Sequence, residues 1–139
     1  GWIAVQLTAT DSTLQNQTAQ TDGWLPFTAK TLSEKRSQGK PVFINFTADW
    51  CITCKVNELN VFSTDQFKAF IKEQKIEILK GDWTKRNPEI TAFLRRYKRA
   101  GVPMYIYFPP GNQEGVVLPE LLTTDILIER IKKSTLANQ

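Results

Sequence analysis

"PVFINFTADWCITCK", residues 41–55, decides how the rest of the chain is read. Its first part, Val42 to Phe46, is an apolar run of β-forming residues, the pattern of a central strand buried on both faces. Its last part holds both cysteines of the chain, Cys51 and Cys54, with two residues between them. From Ile52 to Asn60 the residues have helical character. The stretch predicts a buried strand, a short loop, the cysteine pair and a helix in direct succession.

Outward from this stretch, strands and helices alternate. "WLPF", residues 24–27, predicts a short edge strand, because Pro26 cannot donate to a ladder. "TLSEKRSQGK" reads as a helix ended by Gly39. Ser63 is expected to cap a helix over Thr64 to Glu73, with Phe67, Phe70 and Ile71 facing inward. "KIEILK", residues 75–80, alternates as a strand does. Pro88 suits an early helical position and starts a helix running to about Arg99. "MYIYF", residues 104–108, is a strand, "PPGNQEG" is turn chemistry, and "VVLP" is the short partner strand of a hairpin. Thr124 is expected to cap a final helix that buries Ile126, Leu127, Ile128 and Ile131. The order β-α-β-α-β-α-β-β-α implies an α/β fold, a mixed central β-sheet with helices on both faces. Residues 1–23 are polar and rich in Thr and Gln after a short apolar start; they are expected to form a linker or mobile N-terminal arm before one domain over 24–139.

Composition agrees with one globular domain: 139 residues, 41% of them hydrophobic. No apolar run approaches the ~18 residues that span a membrane. Residues 1–23 lack the basic start and apolar core of a signal peptide. The net charge is +4, and Lys85, Arg86, Arg95, Arg96, Lys98 and Arg99 carry part of it. Ile90, Phe93, Leu94 and Tyr97 recur among them at helical spacing, so these cations read as the solvated side of an amphipathic helix. No nucleic-acid motif accompanies them, and no nucleic-acid partner is expected. Histidine is absent, which removes Cys–His nucleophilic catalysis, histidine metal ligation and the commonest general base near neutral pH.

The cysteine pair has several uses to weigh. Zinc wants four protein ligands, or three and an open position, and two thiols without histidine fall short. Haem attachment needs histidine after the second cysteine, and Lys55 stands there. A Cu(I) clip remains open, since two soft thiolates suffice. A structural disulfide also remains open, although so small a loop restrains little unfolded-chain entropy. The strand before and the helix after favour a redox centre. At the helix start, free N–H groups and the positive dipole end favour a thiolate at Cys51, which is expected to be exposed there and to act as the nucleophile, with Cys54 shielded. Cys54, one turn further in, is the expected resolving thiol.

"VFINFTADWCITCK" resembles the thioredoxin pattern, and "AGVPMYIYF" resembles that superfamily's second signature, where Gly-Val-Pro leads into a strand. The resemblance implies a thioredoxin-like fold with Pro103 in cis, facing the cysteines. A finer resemblance covers residues 24 to 132. There, "ADWCITCKVNE", "GDWTKRNPEITAFLRRYKRAGVPMYIYFPPG" and "VVLPELLTTDILIERI" are similar to the C-terminal periplasmic domain of DsbD-type membrane thiol:disulfide interchange proteins, most of all the ScsB-like branch associated with copper tolerance. This implies a periplasmic disulfide reductase, the soluble part of a bacterial inner-membrane protein. Its implied partners are the transmembrane domain and the N-terminal periplasmic domain of the same polypeptide, with periplasmic thiol-disulfide proteins, including cytochrome c biogenesis factors, downstream. No cofactor beyond the Cys51–Cys54 pair and no metal is implied, and the isolated domain is expected to be monomeric. Residues 1–23 would be the tether after the last membrane helix.

The same resemblance frames the remaining site residues. Thioredoxins commonly keep a buried acid six residues before the first cysteine; here Asn45 occupies that position and cannot take a proton. Asn45 is otherwise expected to be a satisfied polar residue in the sheet. Glu58 follows Cys54 by four residues and Cys51 by seven, near one helical face, and is expected to raise the thiol pKa; pairing with Lys55 is its alternative. Trp50 is expected to pack beside the site and limit access, and Val102 and Pro103 to align an incoming chain. Asp49 is expected at the surface, and Asp82 and Trp83 in a loop at the site's edge.

Overall fold

The structure is a computed structural model that describes residues 23–111 and 113–137. The arm expected over 1–23 falls outside the described residues, Gly23 apart. The elements are β1 (Leu25–Pro26), α1 (Ala29–Ser37), β2 (Val42–Thr47), α2 (Ile52–Asn57), a π-helical segment (Glu58–Phe62), α3 (Asp65–Gln74), β3 (Glu77–Asp82), α4 (Pro88–Arg96), β4 (Met104–Phe108), β5 (Val116–Leu118) and α5 (Thr124–Ala137).

The run Val42–Phe46 takes the middle of a five-stranded sheet ordered β1-β3-β2-β4-β5. Strand β2 pairs parallel with β3, Ile44 opposite Leu79, and antiparallel with β4, Ile44 opposite Ile106. Strands β1 and β3 are parallel, and β4 and β5 form the antiparallel hairpin. Alternation along β2 feeds two cores. Phe43 joins Phe62, Phe67, Tyr105, Leu127 and Ile131 on the side of the π-helical segment, α3 and α5. Val42, Ile44 and Phe46 join Leu32, Ile90, Phe93 and Leu94 on the side of α1 and α4. The mixed sheet with helices on both faces is therefore observed. Gly81 on β3 is needed for close approach: a Cβ there would collide with the ring of buried Phe46.

Several expected boundaries move. Thr64, not Ser63, caps α3: its side chain accepts from Phe67 N–H at 3.2 Å, while the Ser63 N–H closes the preceding segment on Glu58 O. At α5 the Thr123 hydroxyl, not that of Thr124, accepts from Ile126 N–H at 3.1 Å. Thr124 is buried instead, its hydroxyl directed at Asn60 O. Leu127 and Ile131 are buried as expected, but Ile126 and Ile128 only pack partly against the core. Strand β3 starts at Glu77 rather than residue 75, because Lys75 adopts a left-handed conformation and terminates α3. Helix α4 stops at Arg96, with Lys98 left-handed beyond it. The single helix expected over Ile52–Asn60 is an α-helical turn and a half followed by the wider π-helical segment. Among the described residues no helix is long and apolar enough to cross a membrane.

Candidate active site

Cys51 and Cys54 form a disulfide with Cα atoms 5.3 Å apart. Strand β2 ends at Thr47, and Cys51 becomes the N-cap of α2, its Sγ accepting from Cys54 N–H at 3.2 Å. One N–H of the first helical turn, which has no intrahelical partner, is thus spent on the sulfur. Cys51 does not stand out at an exposed helix start: it is 6% exposed, close to the 4% of Cys54. Ala48 forms a small buried cluster with the two cysteines, and the partly buried Val102 packs against it. What separates the two sulfurs is place in the helix, not exposure.

The Val102–Pro103 peptide bond is cis, and Pro103 is buried at the start of β4. Val102, in the segment leading into β4, packs against the cysteine cluster.

Trp50 lies at the mouth, 48% exposed. It is held by the segment following β3: its indole Nε1 donates to Thr84 O at 3.1 Å, and the neighbouring Asp49 N–H donates to Thr84 Oγ1 at 2.9 Å. Thr84 is anchored in turn by its N–H to Asp82 Oδ1 at 3.0 Å. Trp83 is buried, with its Nε1 donating to Thr91 Oγ1, and its ring tilts against that of Trp50 at 5.9 Å. Asp49 is exposed as expected; Asp82 closes β3 rather than lying in a loop.

Glu58 begins the π-helical segment one turn beyond Cys54, its N–H bonded to Cys54 O, and its side chain is half-buried. No ion pair among the described residues joins it to Lys55. Asn45 departs from expectation. It is 3% exposed, and its Oδ1 finds no hydrogen-bond partner among the described residues. Its backbone is committed to the ladders with β3 and β4, opposite Lys80 and Tyr105, and by alternation along β2 it shares the sheet face of Phe43.

A family model described as thioredoxin-like matches residues 23–110. The chain belongs to the thioredoxin-like family. This thioredoxin-like domain is 35% identical over 105 residues to thiol:disulfide interchange protein DsbD 1 of Pseudomonas aeruginosa, a match covering 74% of this chain and 17% of that protein. It is 34% identical over 83 residues to DsbD of Pseudomonas fluorescens, covering 60% of this chain and 14% of that protein. The domain thus spans less than a fifth of the length of these curated relatives. Among solved structures, the C-terminal domain of Neisseria meningitidis DsbD superimposes in its oxidised form with TM-score 0.64 at 22% identity, covering 79% of this chain and 97% of that one. Its reduced form gives TM-score 0.59 at 25% identity, covering 75% and 87%. Together with the disulfide, this kinship supports disulfide oxidoreductase chemistry.

The sequence reading missed the residue that ties the thioredoxin-like domain's site together. Asn57, the last residue of α2, is fully buried. Its Nδ2 donates to Tyr105 Oη at 2.8 Å and to Glu120 O at 2.6 Å, and its Oδ1 accepts from Leu122 N–H at 3.1 Å. The amide joins the cysteine-bearing helix to the strand after Pro103 and to the loop between β5 and α5. The available signal was a polar residue one turn after Cys54 on the inward face of a helix.

The Tyr105 hydroxyl is pushed up to about 12 by burial; the Asn57 hydrogen bond lowers it, and the charges of Glu58 and Glu120 raise it. Burial also raises Tyr97 and Tyr107, so all three tyrosines of the chain are shifted upward. A folded value above the unfolded one, near ~10, stabilises the fold fully below that pH. The contribution disappears as pH rises through the folded values. Tyrosinate absorbance is therefore expected to appear late and together with alkaline unfolding. A tyrosine titrating near its ordinary value in the folded domain would contradict this.

Proposed function

We propose that this domain is a disulfide reductase, relaying electrons by dithiol–disulfide exchange from a membrane-embedded partner domain to periplasmic protein thiols. The observation that carries the reading is the Cys51–Cys54 disulfide at the start of α2, with Val102 packed against it. In the reduced domain, the Cys51 thiolate attacks one sulfur of a client disulfide. A Cys51–client disulfide forms, and the client's other sulfur leaves as a thiolate and takes up a proton. Cys54, deprotonated, then attacks Cys51 Sγ; the Cys51–Cys54 disulfide forms and the client departs as a dithiol, two electrons richer. An upstream dithiol restores the domain by the reverse exchange. No organic cofactor enters. Trp50, Val102 and Pro103 serve to receive the client chain, Val102 by strand-like backbone contacts. Kinship with DsbD supports a place in the periplasm beside a transmembrane and an N-terminal domain of one polypeptide. Cytochrome c biogenesis and the ScsB-like connection to copper tolerance belong to the same proposal.

The test is to mix reduced domain with a protein disulfide and count thiols by alkylation and mass. One Cys51–Cys54 disulfide should appear for each client disulfide lost. An anaerobic Cu(I) titration addresses the alternative, a copper module built on the same thiols. Tight stoichiometric copper binding without exchange would replace the reductase reading. Among the described residues no third His, Cys, Asp or Glu joins the pair in a metal-sized cluster.

Glu58 is proposed to tune the thiols. A carboxylate one turn from Cys54 opposes a thiolate and counteracts the helix start. Glu58→Gln is therefore expected to lower the Cys51 pKa and raise the thiolate fraction at neutral pH several-fold, read from thiolate absorbance against pH. An unchanged or higher pKa would remove Glu58 from the site.

A further inference from the structure

Arg86 sits at the mouth of the site in an unusual setting. Its φ is 54°, a left-handed conformation that side-chain-bearing residues adopt rarely and that concentrates at functional loops. The turn is closed by its own N–H on Trp83 O at 2.9 Å. The guanidinium lies 5.2 Å from the ring centroid of Trp50 and 5.3 Å from that of Trp83. The two indoles are tilted by 55°, so the cation occupies the notch between them. No ion pair among the described residues engages it. Of the acids nearest in sequence, Glu89 accepts the Ala29 N–H through Oε2 at 3.1 Å and Asp82 is occupied by Thr84.

A guanidinium stacked on aromatic faces keeps its in-plane N–H edges free, and those edges match a carboxylate bidentately. The aromatic walls also displace water from the cation's faces, which strengthens its attraction for an anion. Trp50 directly precedes Cys51, so whatever approaches the disulfide over Trp50 passes this cation.

We propose that Arg86 is a specificity-determining residue that makes the site prefer disulfides flanked by a carboxylate, the acid meeting the guanidinium while the client chain lies over Trp50. This rests on the reductase reading and names its substrate class. Lysine would supply charge without the planar fork, and glutamine neither charge nor fork.

The experiment compares three cystine peptides identical except for a flanking Asp, Asn or Lys, each reduced by the dithiol form of the domain. The quantity read is the ratio of second-order rate constants. Wild type should favour the Asp peptide over the Lys peptide by about threefold or more at low salt, the scale of one exposed ion pair. Added salt should shrink the ratio. Arg86→Gln should bring it close to one, and Arg86→Lys should retain part of it. A ratio near one in wild type, or one unchanged in Arg86→Gln, overturns the proposal, including the case where the variant slows all peptides equally. If Arg86→Gln fails to fold, Arg86→Lys and the salt dependence of wild type still decide. Failure to reduce any peptide overturns the reductase reading itself and the inference with it.

Discussion

With Cys54 replaced by serine, the domain should stop turning over and accumulate joined to its client through Cys51. The geometry behind this is local. Cys51 Sγ already accepts the Cys54 N–H, and the two Cα atoms are 5.3 Å apart. In a mixed disulfide, the Cys54 thiolate therefore meets its target within one helical turn. Such fixed intramolecular attack corresponds to effective concentrations of roughly 10⁵ M or more, beyond any external thiol. A serine hydroxyl at that position cannot attack a disulfide, so the mixed disulfide loses its internal resolving thiol. The adduct should be visible as a mass increase that a strong reductant reverses. Cys51→Ser should give no adduct and no turnover. Because the two cysteines are almost equally buried, exposure does not rank them; only the helix start does. Adducts forming on Cys51→Ser but not on Cys54→Ser would reverse the assigned order of attack.

The elements legible in the sequence are those whose burial is large and decided locally. Val42, Phe43, Ile44 and Phe46 are all fully buried, each worth roughly 1.5–3 kcal/mol, so no nearby register competes for β2. The helix caps are another matter. A cap contributes about 1 kcal/mol, and Ser63 and Thr64, or Thr123 and Thr124, are chemically near-equivalent neighbours. Contacts elsewhere choose between them: Thr124 is drawn inward toward Asn60 O, leaving Thr123 to cap. The start of β3 was lost to a left-handed Lys75, a conformation no side-chain pattern announces. The cysteine pair and Val102–Pro103 were legible because each carries a short motif. Asn57 was not, because its partners lie 48 to 65 residues away in the sequence. Arg86 looked like one cation in a basic run, and only the fold sets it between two indoles.

Asn57→Leu should be the most damaging substitution that spares the cysteines. Leucine fits the volume but leaves Tyr105 Oη, Glu120 O and Leu122 N–H without their shared partner. A buried polar group left unpaired costs about 1–3 kcal/mol, and the three together are expected to reach about 3 kcal/mol or more. For a domain of this size that corresponds to a Tm lower by roughly 10 °C. Tyr105→Phe removes only one of the three bonds and should cost about 1 kcal/mol. The two substitutions share a partner, so their combination should cost less than the sum. Asn57→Asp separates hydrogen bonding from packing. It keeps an oxygen for Leu122 N–H but loses the donors to Tyr105 and Glu120, and burial should push the new carboxyl above its unfolded value near ~3.9. Because the folded value is the higher one, the stability of this variant should be greatest at acid pH and fall as pH rises through it. Unfolding curves for the variants at several pH values provide the measurement. An Asn57→Leu domain as stable as wild type, or an Asp variant with the same pH profile as wild type, would show that the amide is not the tie between the cysteine helix, β4 and the loop before α5.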